Sequence, residues 1–254
     1  MADLGFVSAY VPLLAAGVRF GIDSREYAEI ADSILVFVVR HLVCGQSSNK
    51  LDAIFGRACE TIVDESKSYE DIVAFFKQEE QPDDMFRDCF QNLTFDYTAK
   101  PQKIALTLLH RIEDCEHGKQ QPLEVDRASL VVEHIIPKQP TADDLKLWIG
   151  SDAVNADSFD IVDFTNQTIK SIGNLALLYR TENSSAGNGG YKEKLKTYTT
   201  GMKDGEDTSR GKPVDTFKLL EELVAEYPDK FDEDCVAARA EELAEKAVIA
   251  WSQE

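Results

Sequence analysis

The chain has 254 residues, of which 43% are hydrophobic, and a formal net charge of −19. This length allows one large domain or two of ordinary size, with enough apolar residues for a substantial core. The acidic balance opposes non-specific binding to nucleic acid. The five cysteines form no CxxC pair, which argues against a disulfide framework and a zinc site. No apolar stretch is long enough to cross a membrane, and we expect a cytoplasmic protein.

The first part of the chain has the apolar spacing of a helical bundle. Apolar residues recur at i, i+3, i+4 and i+7 from Tyr27 to Leu42, after a capping residue at Asp23 or Ser24. Further helices are predicted over the stretch that starts near Leu51 and after Ser68, Pro82 and Pro101. We therefore predict a helical subdomain over residues 1–120.

The pattern changes to β-branched residues without a helical period from Leu123, which predicts a strand that ends at Pro137. A polar connection follows, in which Asp143–Ile149 is predicted to be a short helix and residues 151–168 a loop. A second strand is predicted over Ser171–Tyr179.

An Asn- and Gly-rich turn and a helix over Tyr191–Tyr198 come next. After a polar loop, two acidic helices are predicted over Val214–Tyr227 and Glu233–Trp251. The predicted fold class is mainly α with a small β-hairpin, in which residues 121–200 form a core and the helices of residues 201–254 pack on it.

One basic stretch stands out in this acidic chain. Residues 165–200 contain five basic and two acidic side chains, a net charge of +3. The basic residues are Lys170, Arg180, Lys192, Lys194 and Lys196. This stretch coincides with the residues whose chemistry suggests an active site.

Glu133 and His134 lie at the end of an apolar run, near the end of the first predicted strand. A one-metal phosphodiesterase needs a base for water, a cation bound by oxygen ligands, and positive groups for the backbone. His134 is the candidate base, because its unperturbed pKa lies near neutrality. At a strand end that faces a loop, Glu133 could converge with it on one cation.

Two asparagines follow at informative positions. Asn174 lies within the second predicted strand, where a buried amide must find partners, and we expect it to pin the His134 loop and orient the imidazole. Asn183 lies nine positions later, and its amide oxygen suits Mg²⁺ or Mn²⁺. The alternatives are that His134 caps a strand end and that Asn183 and Asn188 only form turns.

The sequence EHIIPK, followed by IGNLALL and then by Asn-x₄-Asn-x₂-Tyr-x₂-Lys, resembles the HNH (His-Me finger, ββα-metal) nucleases. More narrowly, it resembles the nuclease domain of the GmrSD-type, modification-dependent restriction enzymes. The similarity covers nearly the whole chain. The further matching positions are Trp148, Tyr191, Lys194, Arg239, Leu243 and Trp251.

This resemblance implies a ββα-metal core in which His134 is the general base and Asn174 the orienting asparagine. Glu133 and Asn183 would bind one divalent cation, Mg²⁺ or Mn²⁺, with Asn188 as the alternative ligand. Candidate contacts to DNA are Lys138, Lys192, Lys194 and Lys196.

The resemblance further implies a DNA endonuclease or nickase of a bacterial defence system that attacks phage or modified DNA. Because the chain contains no GxxxxGK[ST] phosphate loop, we expect the nucleotide-dependent sensor of such a system to be another domain or subunit. The chain would then be a separate nuclease subunit or an excised C-terminal domain. The alternative is a catalytically degenerate HNH-fold module that binds DNA or a partner protein.

Overall fold

The computed structural model describes residues 4–118, 123, 125–156, 159–187, 189–201 and 212–253. Its residues group into two units by their contacts. One unit runs up to Phe90 and includes the end of the chain from Trp251, and the other is Gln91–Ala250. This division differs from the predicted segments, because the helix that precedes residue 120 packs against the hairpin and belongs to the second unit.

Local capping explains where two helices of the first unit begin. The Ser24 hydroxyl accepts a bond from the Tyr27 amide at 3.0 Å, and Ser68 and Asp71 form a capping box. The rings of Phe37, Phe55 and Phe76 meet in the core. The helices are α1 (Tyr10–Phe20), α2 (Arg25–Val43), α3 (Ser48–Val63), α4 (Tyr69–Glu79) and α5 (Asp83–Gln91).

The second unit surrounds a two-stranded sheet with helices. Its strands are β1 (Leu130–His134) and β2 (Leu175–Tyr179). Its helices are α6 (Ala99–His117), α7 (Ala142–Ile149), α8 (Ser151–Val154), α9 (Ile161–Phe164), α10 (Arg180–Ala186), α11 (Tyr191–Thr200), α12 (Pro213–Thr216), α13 (Lys218–Glu226) and α14 (Glu233–Ala250). Mainly helical with one small hairpin, the described fold confirms the predicted fold class.

The strands pair antiparallel, from Leu130 opposite Tyr179 to His134 opposite Leu175. Nearly every side chain on both strands is buried, because α6 and α10 contact both strands. The end that carries His134 is joined to β2 by the long segment that contains α7, α8 and α9. Since side chains alternate between the faces of a strand, Glu133 and His134 point to opposite faces of the hairpin.

Both strands are shorter than predicted. Residues Arg127–Ser129 form a 3₁₀ turn capped by Asp126, so β1 begins only at Leu130. Residues Ile172–Asn174 form a second 3₁₀ turn, in which the Ser171 hydroxyl accepts a bond from the Gly173 amide. Asn174 therefore lies directly before β2 and not within it.

The polar run predicted as a loop contains the short helices α8 and α9 and a π-helical turn over Thr165–Ile169. Asp160 caps α9 by accepting bonds from two amides of its first turn. In the part of the chain that the structure describes, no helix is both long and apolar enough to cross a membrane.

Candidate active site

Asn174 fixes the chain that leaves β1 after His134. Its side-chain oxygen accepts a bond from the Ile136 amide at 2.7 Å, and its side-chain nitrogen donates to the carbonyls of Ile136 and Ile169 at 3.0 and 2.8 Å. The Ile135 amide donates to the Asn174 carbonyl at 2.9 Å. The side chain is fully buried, so these bonds satisfy an amide that water cannot reach.

Helix α14 supports the turn that presents Asn174. The Arg239 guanidinium donates from one nitrogen to the carbonyls of Gly173 and Leu175, both at 2.7 Å. A Cβ atom at position 173 would lie 2.0 Å from the Val236 carbonyl oxygen, so this approach of turn and helix requires glycine. The position of Asn174 thus depends on a helix more than sixty residues further along the chain.

His134 is the last residue of β1 and is 3% exposed. Neither ring nitrogen has a hydrogen-bond partner among the residues that the structure describes. The ring of Tyr97 lies edge-on to the imidazole, with 5.6 Å between the centroids. Burial lowers the pKa of His134 to about 3, with smaller contributions from the positive charges of Lys138 and Lys194. At neutral pH the imidazole is therefore uncharged, and in this buried state it is a weak base.

Glu133 faces the other side of the hairpin and is held by α11. Its Oε1 atom accepts bonds from the Lys194 ammonium at 2.6 Å and from the Tyr198 hydroxyl at 3.1 Å. Burial raises the pKa of the Glu133 carboxyl, and the bonds to Lys194 and Tyr198 limit the rise. The Lys194 ammonium also donates to the His134 carbonyl at 2.6 Å. The structure thus does not bring the Glu133 and His134 side chains together. The buried Lys194 links the Glu133 carboxylate to the main-chain carbonyl of His134 and not to its ring.

Asn183 lies in α10, which contacts both strands and α11. Its side-chain oxygen is buried and has no hydrogen-bond partner within the described ranges. A buried oxygen of this kind can accept a bond from water or bind a cation. Asn188, the alternative ligand, lies outside the described residues.

The donor atoms present can be compared with the needs of a divalent cation. Among the described side chains, no group of three or more His, Cys, Asp and Glu residues is placed to enclose a metal. Mg²⁺ usually keeps several waters and takes only one or two protein oxygens beside the phosphate of its substrate. The unpartnered Asn183 oxygen fits this mode of binding, whereas the Glu133 carboxylate is engaged by Lys194 and Tyr198.

The four lysines predicted to contact DNA differ in their surroundings. Lys194 is 1% exposed and bonded inside the protein, so in this structure it does not face a ligand in solution. Lys192 and Lys196 are exposed on α11. Lys138 is half-buried, and its ammonium lies 5.6 Å from the centre of the Tyr97 ring.

Sequence reasoning missed two side chains that contact the site, Tyr97 and Tyr198. Tyr198 follows Lys194 by four residues on the buried side of α11, so the helical spacing could have paired them. Tyr97 precedes the hairpin by more than thirty residues, and no local pattern links it to His134. The family resemblance indicates Arg239, but it does not predict the bonds of Arg239 to the turn before β2.

The family model for the C-terminal domain of GmrSD restriction endonucleases matches residues 80–246. This range covers more than half of the chain and contains both strands, α10, α11 and most of α14. A comparison with curated proteins finds no match. Every residue described above at the hairpin lies inside the matched range.

Proposed function

We propose a divalent-metal-dependent DNA endonuclease or nickase activity for this chain, which belongs to the family of GmrSD restriction endonuclease C-terminal domains. Membership makes it a nuclease domain of the restriction endonuclease type, with DNA as its substrate. The observation that carries the finer proposal is His134, an uncharged imidazole whose ring nitrogens have no partner within the described residues. Its strand end is fixed by the bonds of Asn174.

In this proposal His134 is the general base of phosphodiester hydrolysis. It takes a proton from water, whose oxygen forms a bond to phosphorus while the bond to the leaving oxygen breaks and solvent returns a proton to that oxygen. Asn174 holds the loop on which the imidazole lies. The pKa of a buried imidazole moves back toward its ordinary value when water and an anionic phosphate reach it, so the base becomes stronger once DNA is bound.

Asn183, together with Glu133, would hold the single cation, Mg²⁺ or Mn²⁺. When bound, such a cation stabilises negative charge on the phosphate and on the leaving oxygen. The buried and unpartnered oxygen of Asn183, within the described part of the chain, supports its role. Glu133 has less support, since Lys194 and Tyr198 already bind its carboxylate and its side chain lies on the face of the hairpin opposite to His134. Asn188 stays the alternative ligand.

The test is cleavage of supercoiled plasmid in buffers that contain Mn²⁺ or Mg²⁺. We expect the wild type to nick the plasmid and His134→Ala to lose about 100- to 10,000-fold in rate, the usual contribution of a general base. His110→Ala is the matched control, because it removes a histidine whose ring pairs with Asp114 on the same helix, α6, at 3.1 Å. It should cut as the wild type does.

Calorimetry with Mn²⁺ tests the metal site separately. Asn183→Ala should weaken binding, and a wild type that binds neither metal and leaves plasmid intact at high concentration would eliminate the nuclease proposal. Cutting by His134→Ala at the wild-type rate would show that another group is the base.

The second candidate is a catalytically degenerate HNH-fold module that binds DNA or a partner protein. The observation that favours it is the buried Lys194–Glu133 ion pair. In this pair the Lys194 ammonium binds the carboxylate that is proposed as a ligand of the metal ion. A protein that binds DNA but neither binds metal nor nicks plasmid would support this reading.

The biological setting is also a proposal. The family of restriction endonucleases supports a role in bacterial defence against phage or modified DNA. We propose that a nucleotide-dependent sensor domain or subunit controls this nuclease, since a chain with a charge of −19 binds DNA weakly by itself. A cytoplasmic location stays a prediction. It rests on the five scattered cysteines, which form no CxxC pair and are typical of a reducing compartment.

A further inference from the structure

A group of side chains outside the predicted site surrounds the ring of Tyr97. The ring lies edge-on to the His134 imidazole. The ammonium nitrogens of Lys138 and Lys170 lie 5.6 and 5.9 Å from its centre, within the range of cation–π attraction. One aromatic ring is therefore shared by the candidate base and two cations.

Hydrogen bonds attach Tyr97 to the elements that form the site. Its hydroxyl donates to the Lys138 carbonyl at 3.2 Å. The Phe95 amide donates to the Lys170 carbonyl at 2.8 Å, and the Ile172 amide donates to the Leu93 carbonyl at 2.9 Å. The segment before α6 is thus fixed to the turn that carries Asn174, and these bonds hold Tyr97 beside the candidate base.

The two cations are available to an anion. Lys170 pairs with Asp96 at 2.8 Å, but the Asp96 side chain is 68% exposed, and exposed ion pairs contribute little free energy. In the described parts of the chain, no carboxylate pairs with Lys138. A phosphate can therefore bind Lys138 directly and compete with Asp96 for Lys170.

We propose that Lys138 and Lys170 bind the phosphodiester at His134, and that Tyr97 is a positioning residue that keeps both cations and the imidazole together. This inference rests on the proposed function. It places the DNA backbone on the Tyr97 side of the hairpin, whereas the ammonium of Lys194 is turned inward toward Glu133.

The first test measures binding of a short DNA duplex in EDTA, without cleavage, at increasing salt concentrations. Each of Lys138→Gln and Lys170→Gln should bind about tenfold more weakly, because a charged hydrogen bond is lost. Each should also lower the slope of log K against log salt by about one, as expected for one phosphate contact. Lys50→Gln, an exposed lysine of α3, is the matched control and should keep the wild-type slope.

The second test separates positioning from folding. Tyr97→Leu removes the ring and should lower kcat in plasmid cleavage by about tenfold to 100-fold through misplacement of the base and of the bound phosphate. It should also reduce the salt slope, which a merely structural role would leave unchanged. Tyr97→Phe keeps the ring and should cut at nearly the wild-type rate. Thermal unfolding of both variants shows whether they fold.

The outcomes distinguish this inference from the proposed function. If Lys138→Gln and Lys170→Gln keep the wild-type slope and KM while His134→Ala is inactive, the nuclease stands and the phosphate site is wrong. If the wild type never cuts but both lysine variants lose affinity and slope, the phosphate site stands and the nuclease proposal fails. If the wild type neither cuts nor binds DNA, both are overturned.

Discussion

Asn174 shows how one side chain connects sequence to active-site geometry. It makes one bond as an acceptor and two as a donor, all to backbone groups on two separate segments. No other side chain of similar size presents an acceptor and two donors in this arrangement. The asparagine therefore specifies the path of the chain after His134, which leucine or aspartate could not do.

We expect Asn174→Asp to destabilise the protein by about 3 kcal/mol, the usual cost of a buried charge left without a partner. The new carboxylate oxygen would face the carbonyls of Ile136 and Ile169, which now accept bonds from the amide nitrogen. Urea unfolding at neutral pH measures the loss. Asn49→Asp, at an exposed position in α3, is the control and should change stability by less than about 0.5 kcal/mol. Equal effects of the two changes would contradict this account.

At the scale of elements, α14 and the turn before β2 behave as one structural unit. Arg239 reaches across to two carbonyls of the turn, and Gly173 lets the backbones approach closely. The hairpin itself is only five residues long on each strand, so its geometry depends on such support. A change in α14 should therefore affect the site without contact to any catalytic group.

Gly173→Ala tests this dependence. The added methyl group would overlap the Val236 carbonyl oxygen, so turn and helix must separate. We expect a loss of about 3 kcal/mol or more in unfolding free energy, at the upper end of the cost of overpacking, and slower plasmid nicking. Gly56→Ala is the control, because a Cβ there meets open space within α3 and should stabilise by about 0.5–1 kcal/mol. A Gly173→Ala protein as stable as the wild type would refute the role of this contact.

The sequence correctly predicts those helices that are indicated by local features, namely apolar periodicity and capping residues. Helices α2 and α4 follow apolar periodicity and begin at capping serines, and α11 and α14 lie close to their predicted ranges. The strands were predicted too long, because the 3₁₀ turns before β1 and β2 are fixed by side-chain caps from Asp126 and Ser171 that the strand pattern does not indicate. Short capped helices such as α9 were missed in a run of polar residues.

In the candidate site, too, the sequence indicates residues with local signals and does not indicate tertiary contacts. His134, Asn174 and Asn183 could be selected from the sequence, because their residue types and spacing carry the chemistry. The pairing of Glu133 with Lys194 could not, since it depends on which face of β1 meets α11. Tyr97 contacts the base, and Lys170 contacts the Tyr97 ring, across more than thirty residues of sequence, for which a single sequence has no signal.

At the scale of the molecule, the distribution of charge limits where DNA can bind. The net charge of −19 repels phosphate from most of the surface. The cations beside Tyr97 lie next to the candidate base, so they attract phosphate to the place where hydrolysis is proposed. This arrangement supports the proposal that a partner brings DNA to the nuclease.

Burial of another carboxyl makes the stability of the second unit depend on pH. Glu113 on α6 is fully buried, and its two oxygens accept bonds from the amides of Lys218 and Leu219 at the start of α13. Burial raises its pKa from the ordinary 4.5 to about 7, with Glu222 and Glu116 adding to the rise. The folded protein therefore binds this proton more tightly than the unfolded chain does.

The stabilising contribution of this proton is complete below the unfolded pKa of Glu113 and is lost as pH rises through about 7. We expect the wild type to lose about 3 kcal/mol from this group between pH 4.5 and pH 8. Glu113→Gln should lack that loss, so its unfolding free energy should increase relative to the wild type as pH rises. Urea unfolding across this range measures the difference. A constant offset for Glu113→Gln across this range would show that its carboxyl does not titrate there.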